Sequence, residues 1–542
     1  MDCNINIIPK PKKLHITGEG ELNLGELRGI AIDANFDGVL PIIAQTFLDK
    51  LGIEYSATAS GDVPTLNVKY KEDLPGEGYA ITVGKNGIDV FAGDKNGALY
   101  AFQTLRIATL ADSASPRYTL PYMKISDYPD EAWRGMHLDV ARHFYKVGEV
   151  KKLIDLMLLH KLNVMHFHLT DDQGWRIEIK KYPLLTEIGS KRKKTHIHGW
   201  LKDDDDGTPH EGYYTKDDIK DIIAYAAARG IDVFPEIDMP AHFAAAFAAY
   251  PHLACRNKAV EVPWYFGGHY PLKHGVLDWN RSACMGKKAT FDFICDVIDE
   301  VTELFPSKYF HIGGDEVPRG EWEKCPDCRR VMDEQGFKNT RELHGLFLKK
   351  VNEYVKTKGK TLIAWNEILS GRGDIDTDII VQYWTPKRDR NVVEYLKRGG
   401  RVLISKHRPL YLDMPHSKYT LSDAYALTRF FEDITPEYAS QIVGSEATMW
   451  TEWIATIDKI EFQLFPRLTA VAEAVWRTDD RDFAEFLPRL TEFNEKILTG
   501  LGVNYAKYPI ANPKNAIKKF ITALKWHVKD PDIEYNANKD LK

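Results

Sequence analysis

From Trp133 to about Arg477 the chain alternates short apolar runs with longer segments of helical apolar spacing. The short runs are "RGMHLDV", "NVMHFHLT", "IDVFPEID", "YFHIGG", "TLIAW", "DIIVQYW", "RVLIS" and "QIVGSEA". They have strand length, and they are rich in β-branched and aromatic residues, as strands covered on both faces require. Between most of them lie "GEVKKLIDLMLLHK", "DDIKDIIAYAAARG", "ATFDFICDVIDEVTELF" and "RELHGLFLKKVNEYVKTKG", whose apolar residues recur every three or four positions. Eight such strand–helix steps define an α/β fold of the (β/α)8 TIM-barrel type, extended by insertions. A doubly wound open sheet is the alternative, but no GxGxxG follows any of the strands.

The segment before the barrel reads differently. "YAITVGKNGIDVFAG" is a hairpin, two β-rich runs around "GKNG", while "VLPIIAQTFLDKLG" and "GALYAFQTLRIATLA" have helical spacing. The expected organisation is a small α+β domain over 1–128, the barrel over 129–500 and a helical tail over 501–542. "SDYPDEAW" supplies the turn residues at the first boundary. In the tail, "KNAIKKFITALKWHVKD" reads as one amphipathic helix, docked on the barrel or partly free, with no function attached.

A barrel builds its site from the loops beyond the C-terminal ends of its strands. Reading past each strand end in turn gives Arg142, Asp171 with Asp172, Asp238 with His242, and Asp315 with Glu316. The later strands lead to Trp365, Trp384, Tyr411 with Asp413, and Trp450 with Glu452. Acids, aromatics and one Arg on a single rim have the composition of a sugar pocket. Carboxylates and Arg bond hydroxyls, while aromatic faces pack on the C–H surface of the ring.

"FHIGGDEVPRG" places Asp315 and Glu316 side by side. Ordinary retaining glycosidases set a nucleophile and an acid about 5 Å apart across the anomeric carbon. Two neighbours on one loop suit a different division of labour. One protonates the leaving oxygen, and the other steadies a substrate group that serves as its own nucleophile.

"HIGGDEV" resembles the catalytic signature of family 20 glycoside hydrolases, the β-N-acetylhexosaminidases. "LDVARHF", "HLTDDQGWR", "EIDMPAH", "AWNEIL", "YLD" and "GSEATMWTEW" follow that family's order, and "IIPKPKKL" resembles the start of its non-catalytic N-terminal domain. The resemblance implies exo-acting removal of terminal N-acetylglucosamine or N-acetylgalactosamine by substrate-assisted retaining hydrolysis, an exception among glycosidases. Glu316 would be the general acid and then the base. Asp315 would bind the acetamido N–H and offset the positive charge of an oxazolinium intermediate, with Tyr411 donating to the acetamido oxygen. His242 would contact the acid, with Asp238 orienting it. Arg142 and Asp171 would bond O3 and O4, Glu452 O4, and Asp413 O6. Trp365, Trp384 and Trp450 would wall the pocket around the acetamido methyl. Glu316 would need an apolar surround to stay protonated. Ala241 departs from the family's usual Gly beside His242.

The resemblance implies no cofactor. Its partner is a glycan or glycoconjugate ending in a β-linked N-acetylhexosamine. Three other readings share parts of this pattern. A metal-dependent hydrolase would use His166 and His168, on one strand face, with Asp171 and Asp172. A non-catalytic sugar-binding protein would not need the acid pair, and a relative releasing a disaccharide or a sulfated sugar would need a more open pocket.

A net charge of -6 with interspersed signs excludes a nucleic-acid footprint. The run Lys191–Lys194 reads as a solvated loop, and His196, His198, Trp200, Trp264 and Tyr265 as exposed residues of the loops on the catalytic face. No apolar stretch is long enough to span a membrane. The N-terminus lacks an apolar signal region, so the expectation is a cytoplasmic protein or, slightly favoured, the mature part of an exported one, with Cys3 near its start. Six cysteines are too few for a disulfide scaffold. "CPDC" holds Cys325 and Cys328 without a second CxxC, so no metal is expected, and Cys255 with Cys284 are the candidates for a bridge in an oxidising compartment. The oligomeric state is not legible.

Overall fold

The N-terminal part folds around a six-stranded sheet. Its strands are β1 (Lys13–Asn23), β2 (Gly29–Ile32), β3 (Thr65–Tyr70), β4 (Tyr79–Gly84), β5 (Gly87–Ala92) and β6 (Thr119–Asp127), ordered β1-β6-β4-β5-β3-β2. The expected hairpin is β4–β5, in register from Tyr79 opposite Ala92 to Gly84 opposite Gly87. Helix α1 (Lys95–Ala108) begins where the Asp94 carboxylate accepts the Gly97 N–H at 2.8 Å. This computed structural model describes residues 5–54, 64–200, 202, 204–266, 282–370, 375–386, 389–431, 434–479 and 481–541.

All eight apolar runs are parallel strands of a closed barrel: β7 (Trp133–Asp139), β8 (Val164–Asp171), β9 (Asp232–Ile237), β10 (Tyr309–His311), β11 (Thr361–Trp365), β12 (Ile380–Tyr383), β13 (Arg401–Ile404) and β14 (Ile442–Met449). Neighbours in sequence pair in order, and β14 returns to pair with β7. The helices α2 (Val147–Leu159), α3 (Lys216–Ala228), α4 (Lys288–Leu304), α5 (Pro326–Glu334), α6 (Thr340–Thr357), α7 (Asp389–Lys397) and α8 (Arg467–Trp476) follow strands of the barrel. Their starts are written locally. Thr215 and Asp218 form a capping box on α3, and Asn339 with Glu342 form one on α6. Among the described residues, no helix is long and apolar enough to cross a membrane.

The barrel interior is layered. At the N-terminal end of the strands Trp133, Val164, Phe234, Ile363, Ile380 and Leu403 form an apolar plug. Above it the filling is polar. Glu236 faces His166 Nε2 at 2.9 Å, His168 Nδ1 at 2.7 Å and His311 Nδ1 at 3.0 Å, and accepts the Trp365 Nε1–H at 3.0 Å. Glu446 accepts from Trp133 Nε1 at 3.1 Å and Gln382 Nε2 at 2.8 Å, and meets His166 Nδ1 at 2.8 Å. Burial would raise the Glu236 carboxyl, but three imidazoles outweigh it and hold the group well below its ordinary range. The "HFH" pair therefore turns both imidazoles onto carboxylates within the barrel.

The tail is docked. Helix α9 (Ala516–Val528) reaches the C-terminal face of the barrel through Trp526, its one buried residue, and α10 (Ile533–Lys539) follows it. The Glu534 carboxylate accepts the backbone N–H groups of His416 and Ser417 at 2.7 and 2.8 Å, three residues or so beyond Asp413. The run Lys191–Lys194 is not uniformly solvated. Arg192 is buried, and its guanidinium donates to the Arg142 carbonyl at 2.6 Å. Cys3 lies outside the described residues.

Candidate active site

Strand β10 stops at His311, and the next four residues turn. Gly313 and Gly314 take φ of +65° and +85°, and Glu316 itself is at +45°. A Cβ on Gly313 would fall 1.9 Å from the Asp238 carboxylate. Only glycine lets this loop lie directly on the end of β9. Asp315 and Glu316 thus leave a tight turn, not an extended strand that would aim them apart. The Asp315 side chain is mostly buried with Oδ1 unpartnered among protein groups, whereas that of Glu316 is 61% exposed. The apolar surround expected for Glu316 is therefore not supplied by the described residues, because the turn projects it to the pocket mouth.

His242 sits between the acids. Its Nδ1 faces Asp171 Oδ1 at 3.2 Å, and its Nε2 lies 3.7 Å from Glu316 Oε2 and 3.9 Å from Asp315 Oδ2. Asp171, rather than the expected Asp238, is the carboxylate within hydrogen-bond distance of Nδ1. Asp238 closes the cluster from the side, its carboxylate within 4.8 Å of His242 and Asp315. Burial would lower the His242 pKa, but Asp171, Asp238 and Asp315 reverse this and hold it well above the ordinary value. Burial pushes Asp315 up to about 8; His242 opposes the shift, and Glu367, Glu316 and Glu236 add to it. Burial and the neighbouring Asp315 likewise push Asp238 well up.

Asp171 is the junction of the site. Arg142 Nη2 lies 2.8 Å from its Oδ2, and His168 Nε2 is 3.1 Å from the same oxygen. Despite burial, Arg142 and His242 keep Asp171 far below the usual carboxylate range. The guanidinium of Arg142 also lies 5.0 Å from the Trp450 ring centroid, and Gln173 accepts its Nε–H at 3.2 Å. Arg142, Asp171, Asp238, His242, Asp315, Glu316, Trp384, Tyr411, Asp413, Trp450 and Glu452 all line one pocket. Trp384 stacks on Tyr411 with centroids 5.9 Å apart. Burial raises both Asp413 and Glu452; Glu452 adds to the first shift, while for Glu452 Arg142 opposes the rise and Asp139 and Asp171 add to it. Of the residues expected here, Trp365 differs. It is fully buried beneath Trp450 (centroids 5.9 Å apart), bonded to Glu236, and is not part of the pocket lining. Ala241, the departure from Gly, puts its methyl into an apolar cluster with Val317 and Trp322.

The pocket also uses residues that strand-end reading does not reach: Trp200, His407, Met414, Trp453, Ile454 and, from α9, Trp526. Trp453, Trp526 and Phe266 form a small apolar cluster with Trp200 against it. The loop residues expected to be exposed are partly buried instead. His196 stacks on Tyr265 at 4.1 Å, both are buried, and Trp200 donates its backbone N–H to His527 O at 2.8 Å. Trp264 lies within the same aromatic group, 6.4 Å from His196, and His198 pairs with Asp204 at 3.0 Å. Residues 267–281 of the second loop lie outside the described residues. Trp453 stands one residue beyond Glu452 in "GSEATMWTEW", whereas nothing local in the tail signals that Trp526 reaches a rim so distant in sequence.

A parallel barrel with paired acids, an aromatic wall and one Arg on its C-terminal rim defines a carbohydrate-active enzyme fold. The family model described as glycosyl hydrolase family 20, catalytic domain, matches residues 132–479, and that of family 20, domain 2, matches 4–128. The chain belongs to glycosyl hydrolase family 20. It is similar to a beta-hexosaminidase of Porphyromonas gingivalis, 35% identical over 93% of this chain, of which it spans 64% of the length. Among solved structures, it resembles the beta-N-acetylhexosaminidase of Bacteroides fragilis (30% identity, 94% of this chain and 99% of that one, TM-score 0.78). It also resembles a Vibrio harveyi exo beta-N-acetylglucosaminidase solved in complex with N-acetylglucosamine (29% identity, 93% and 78% covered, TM-score 0.78).

Proposed function

We propose that this chain is an exo-acting β-N-acetylhexosaminidase that releases terminal, unmodified N-acetylglucosamine or N-acetylgalactosamine from a glycan or glycoconjugate. The observation that carries this reading is the turn after β10, which sets a buried Asp315 beside an exposed Glu316 at one end of an aromatic pocket. In the first step the acetamido carbonyl oxygen attacks C1, the bond from C1 to the leaving oxygen breaks, and Glu316 gives that oxygen its proton. In the second, water attacks C1, Glu316 takes a proton from it, and the amide re-forms with retained configuration. Asp315 bonds the acetamido N–H and Tyr411 the acetamido oxygen. The positive charge that develops on the bicyclic intermediate favours ionised Asp315, against the burial that pushes it up to about 8.

Arg142, Asp171, Asp413 and Glu452 serve the ring hydroxyls, Trp384 and Trp450 hold the sugar between their faces, and Trp365 supports Trp450 from below. His242 steadies both acids, with Asp238 behind it. Arg142 is the one Arg or Lys among the described lining residues, and Asp171 already neutralises it. A sulfated sugar would meet no unpaired cation there, which supports an unmodified terminal unit. A panel of chromogenic glycosides with and without the 2-acetamido group tests the reading. Release confined to the N-acetylated sugars, with tight inhibition by a thiazoline mimic of the intermediate, is expected. Equal release from plain glucosides would overturn it.

A further inference from the structure

Four of the cysteines meet behind the catalytic rim. Cys255 follows β9, Cys284 lies just before α4, and Cys325 and Cys328 open α5, beyond the turn that carries Asp315 and Glu316. Their Sγ atoms all lie within 4.8 Å of one another. The separations are 3.8 Å for Cys255–Cys328, 3.7 Å for Cys284–Cys325 and 3.6 Å for Cys284–Cys328. All four are free thiols. Two disulfides would draw the sulfurs into two bonded pairs at about 2 Å. Here Cys284 is instead almost equidistant from two partners. A tetrahedral ion with metal–sulfur bonds of about 2.3 Å needs edges of about 3.8 Å between its ligands.

We propose that Cys255, Cys284, Cys325 and Cys328 hold a structural zinc ion. Four soft thiolates in a tetrahedral arrangement select zinc or iron, and zinc has no redox chemistry to disturb a glycosidase. The site is closed, as structural zinc sites are. Cys284, Cys325 and Cys328 are buried and Cys255 is half-buried, packed with Trp322, Leu343, Ala241 and Val317. The ligand loops interlock. A Cβ on Gly286 would lie 2.1 Å from the Asp327 carbonyl carbon, inside the Cys325–Cys328 turn. Binding releases the thiol protons and leaves a net dianion. Two cations sit on the ligand-bearing loops: Lys287 donates to the His252 carbonyl at 2.9 Å, and Arg330 to the Gly286 carbonyl at 3.1 Å.

The place of the site gives it a task. Ala241 and Val317, the neighbours of His242 and Glu316, belong to the same apolar cluster as the cysteines. The Ala283 N–H donates to the Pro240 carbonyl at 2.7 Å, Ser282 Oγ to the Pro318 carbonyl at 2.9 Å, and Trp322 Nε1 to the Ala283 carbonyl at 3.0 Å. Zinc would therefore clamp together the loops after β9 and β10, which present His242 and Glu316. The proposal departs from the expectation of no metal drawn from "CPDC" alone, because Cys255 and Cys284 complete the set of four.

The full chain, produced with zinc supplied, is measured for metal by mass spectrometry, for coordination by zinc-edge X-ray absorption, and for thiols with and without reductant. About one zinc per chain with four sulfur neighbours at about 2.3 Å is expected. A mercurial should release it, and chelation under denaturing conditions should lower the melting temperature on refolding. Cys284→Ser combined with Cys325→Ser should lose the metal, while Cys295→Ser, outside the cluster, should keep it. If the double variant does not fold, the wild-type metal content and absorption spectrum still decide. Zinc far below stoichiometry, iron in its place, or two disulfides in unreduced protein would each overturn the proposal.

Discussion

His242 joins Asp171 to Glu316: its Nδ1 is 3.2 Å from the first carboxylate and its Nε2 3.7 Å from the second. The imidazole is held cationic by Asp171, Asp238 and Asp315 against the effect of burial. It is also the one group that pulls the raised Asp315 pKa down among its principal neighbours. In His242→Gln that cation is gone, so the Asp315 pKa rises further. Because the proposed mechanism needs ionised Asp315, the ascending limb of kcat/KM against pH should move to higher pH. A profile of unchanged position with uniformly lower amplitude would mean that His242 acts only as a spacer.

Glu316→Gln removes the proposed proton donor but leaves the pocket intact. With natural disaccharides kcat should fall about 10²–10⁴-fold, the usual contribution of general acid catalysis. Glycosides with nitrophenolate leaving groups need little protonation and should lose much less. Parallel assays of the two substrate classes check this. Equal losses would remove Glu316 from the acid role.

Asp315→Asn keeps the size of the side chain and loses its ability to carry negative charge. Turnover should fall about 10²–10³-fold, typical of a lost electrostatic contact to a developing charge. Affinity for the free sugar should change little, since that charge is absent in the ground state. Inhibition constants for N-acetylglucosamine and for a thiazoline measured on the variant separate the two effects, and only the thiazoline should weaken strongly.

Much of this architecture is written in local pattern. The eight strands are legible because a strand buried on both faces must be a short apolar run. The rim residues follow from counting past each run, since the barrel fixes which end is open. What escapes is convergence from afar. "HFH" looks like a metal ligand pair until Glu236 and Glu446, from two other strands, are seen to occupy both imidazoles. Trp365 stands at a strand end like Trp384, yet its indole N–H turns inward to Glu236. No sequence period records which side of the strand end a ring takes. Cys255 and Cys284 meet "CPDC" only once the loops after β9 and β10 pack together.

Glu236 provides a prediction about stability. It accepts from Trp365 and faces three imidazoles inside the barrel. Glu236→Gln leaves His166 and His168, the two imidazoles whose pKa values are held above the ordinary one, without that countercharge and should cost about 3–5 kcal/mol, the usual penalty for breaking a buried ion pair. The pH dependence has a definite sign. A carboxylate held below its unfolded pKa stabilises the protein above that value and loses the contribution as pH falls through the folded one. The wild-type melting temperature should therefore fall as pH drops below about 4, and the variant should show a weaker dependence there. Thermal scans of both proteins across that range test it.

The tail yields the last prediction. Trp526 is 2% exposed, lines the pocket and packs with Phe266 and Trp453. Its helix is held by backbone contact as well as by this ring. Trp200 donates to the His527 carbonyl at 2.8 Å, and a Cβ on Gly199 would meet the Val528 backbone at 2.6 Å. The second tail helix reaches back through Glu534 to the loop beyond Asp413. Trp526→Ala should therefore open the pocket wall without releasing the tail. KM for N-acetylated substrates should rise about tenfold, for the loss of roughly one to two kcal/mol of ring contact, while kcat stays within a few-fold because Asp315 and Glu316 are untouched. Removing the tail from residue 507 onward should be far more damaging, since it also frees the Asp413 loop. Steady-state kinetics on both variants make the comparison. If kcat collapsed in Trp526→Ala with KM unchanged, the ring would be supporting the acid pair rather than the sugar.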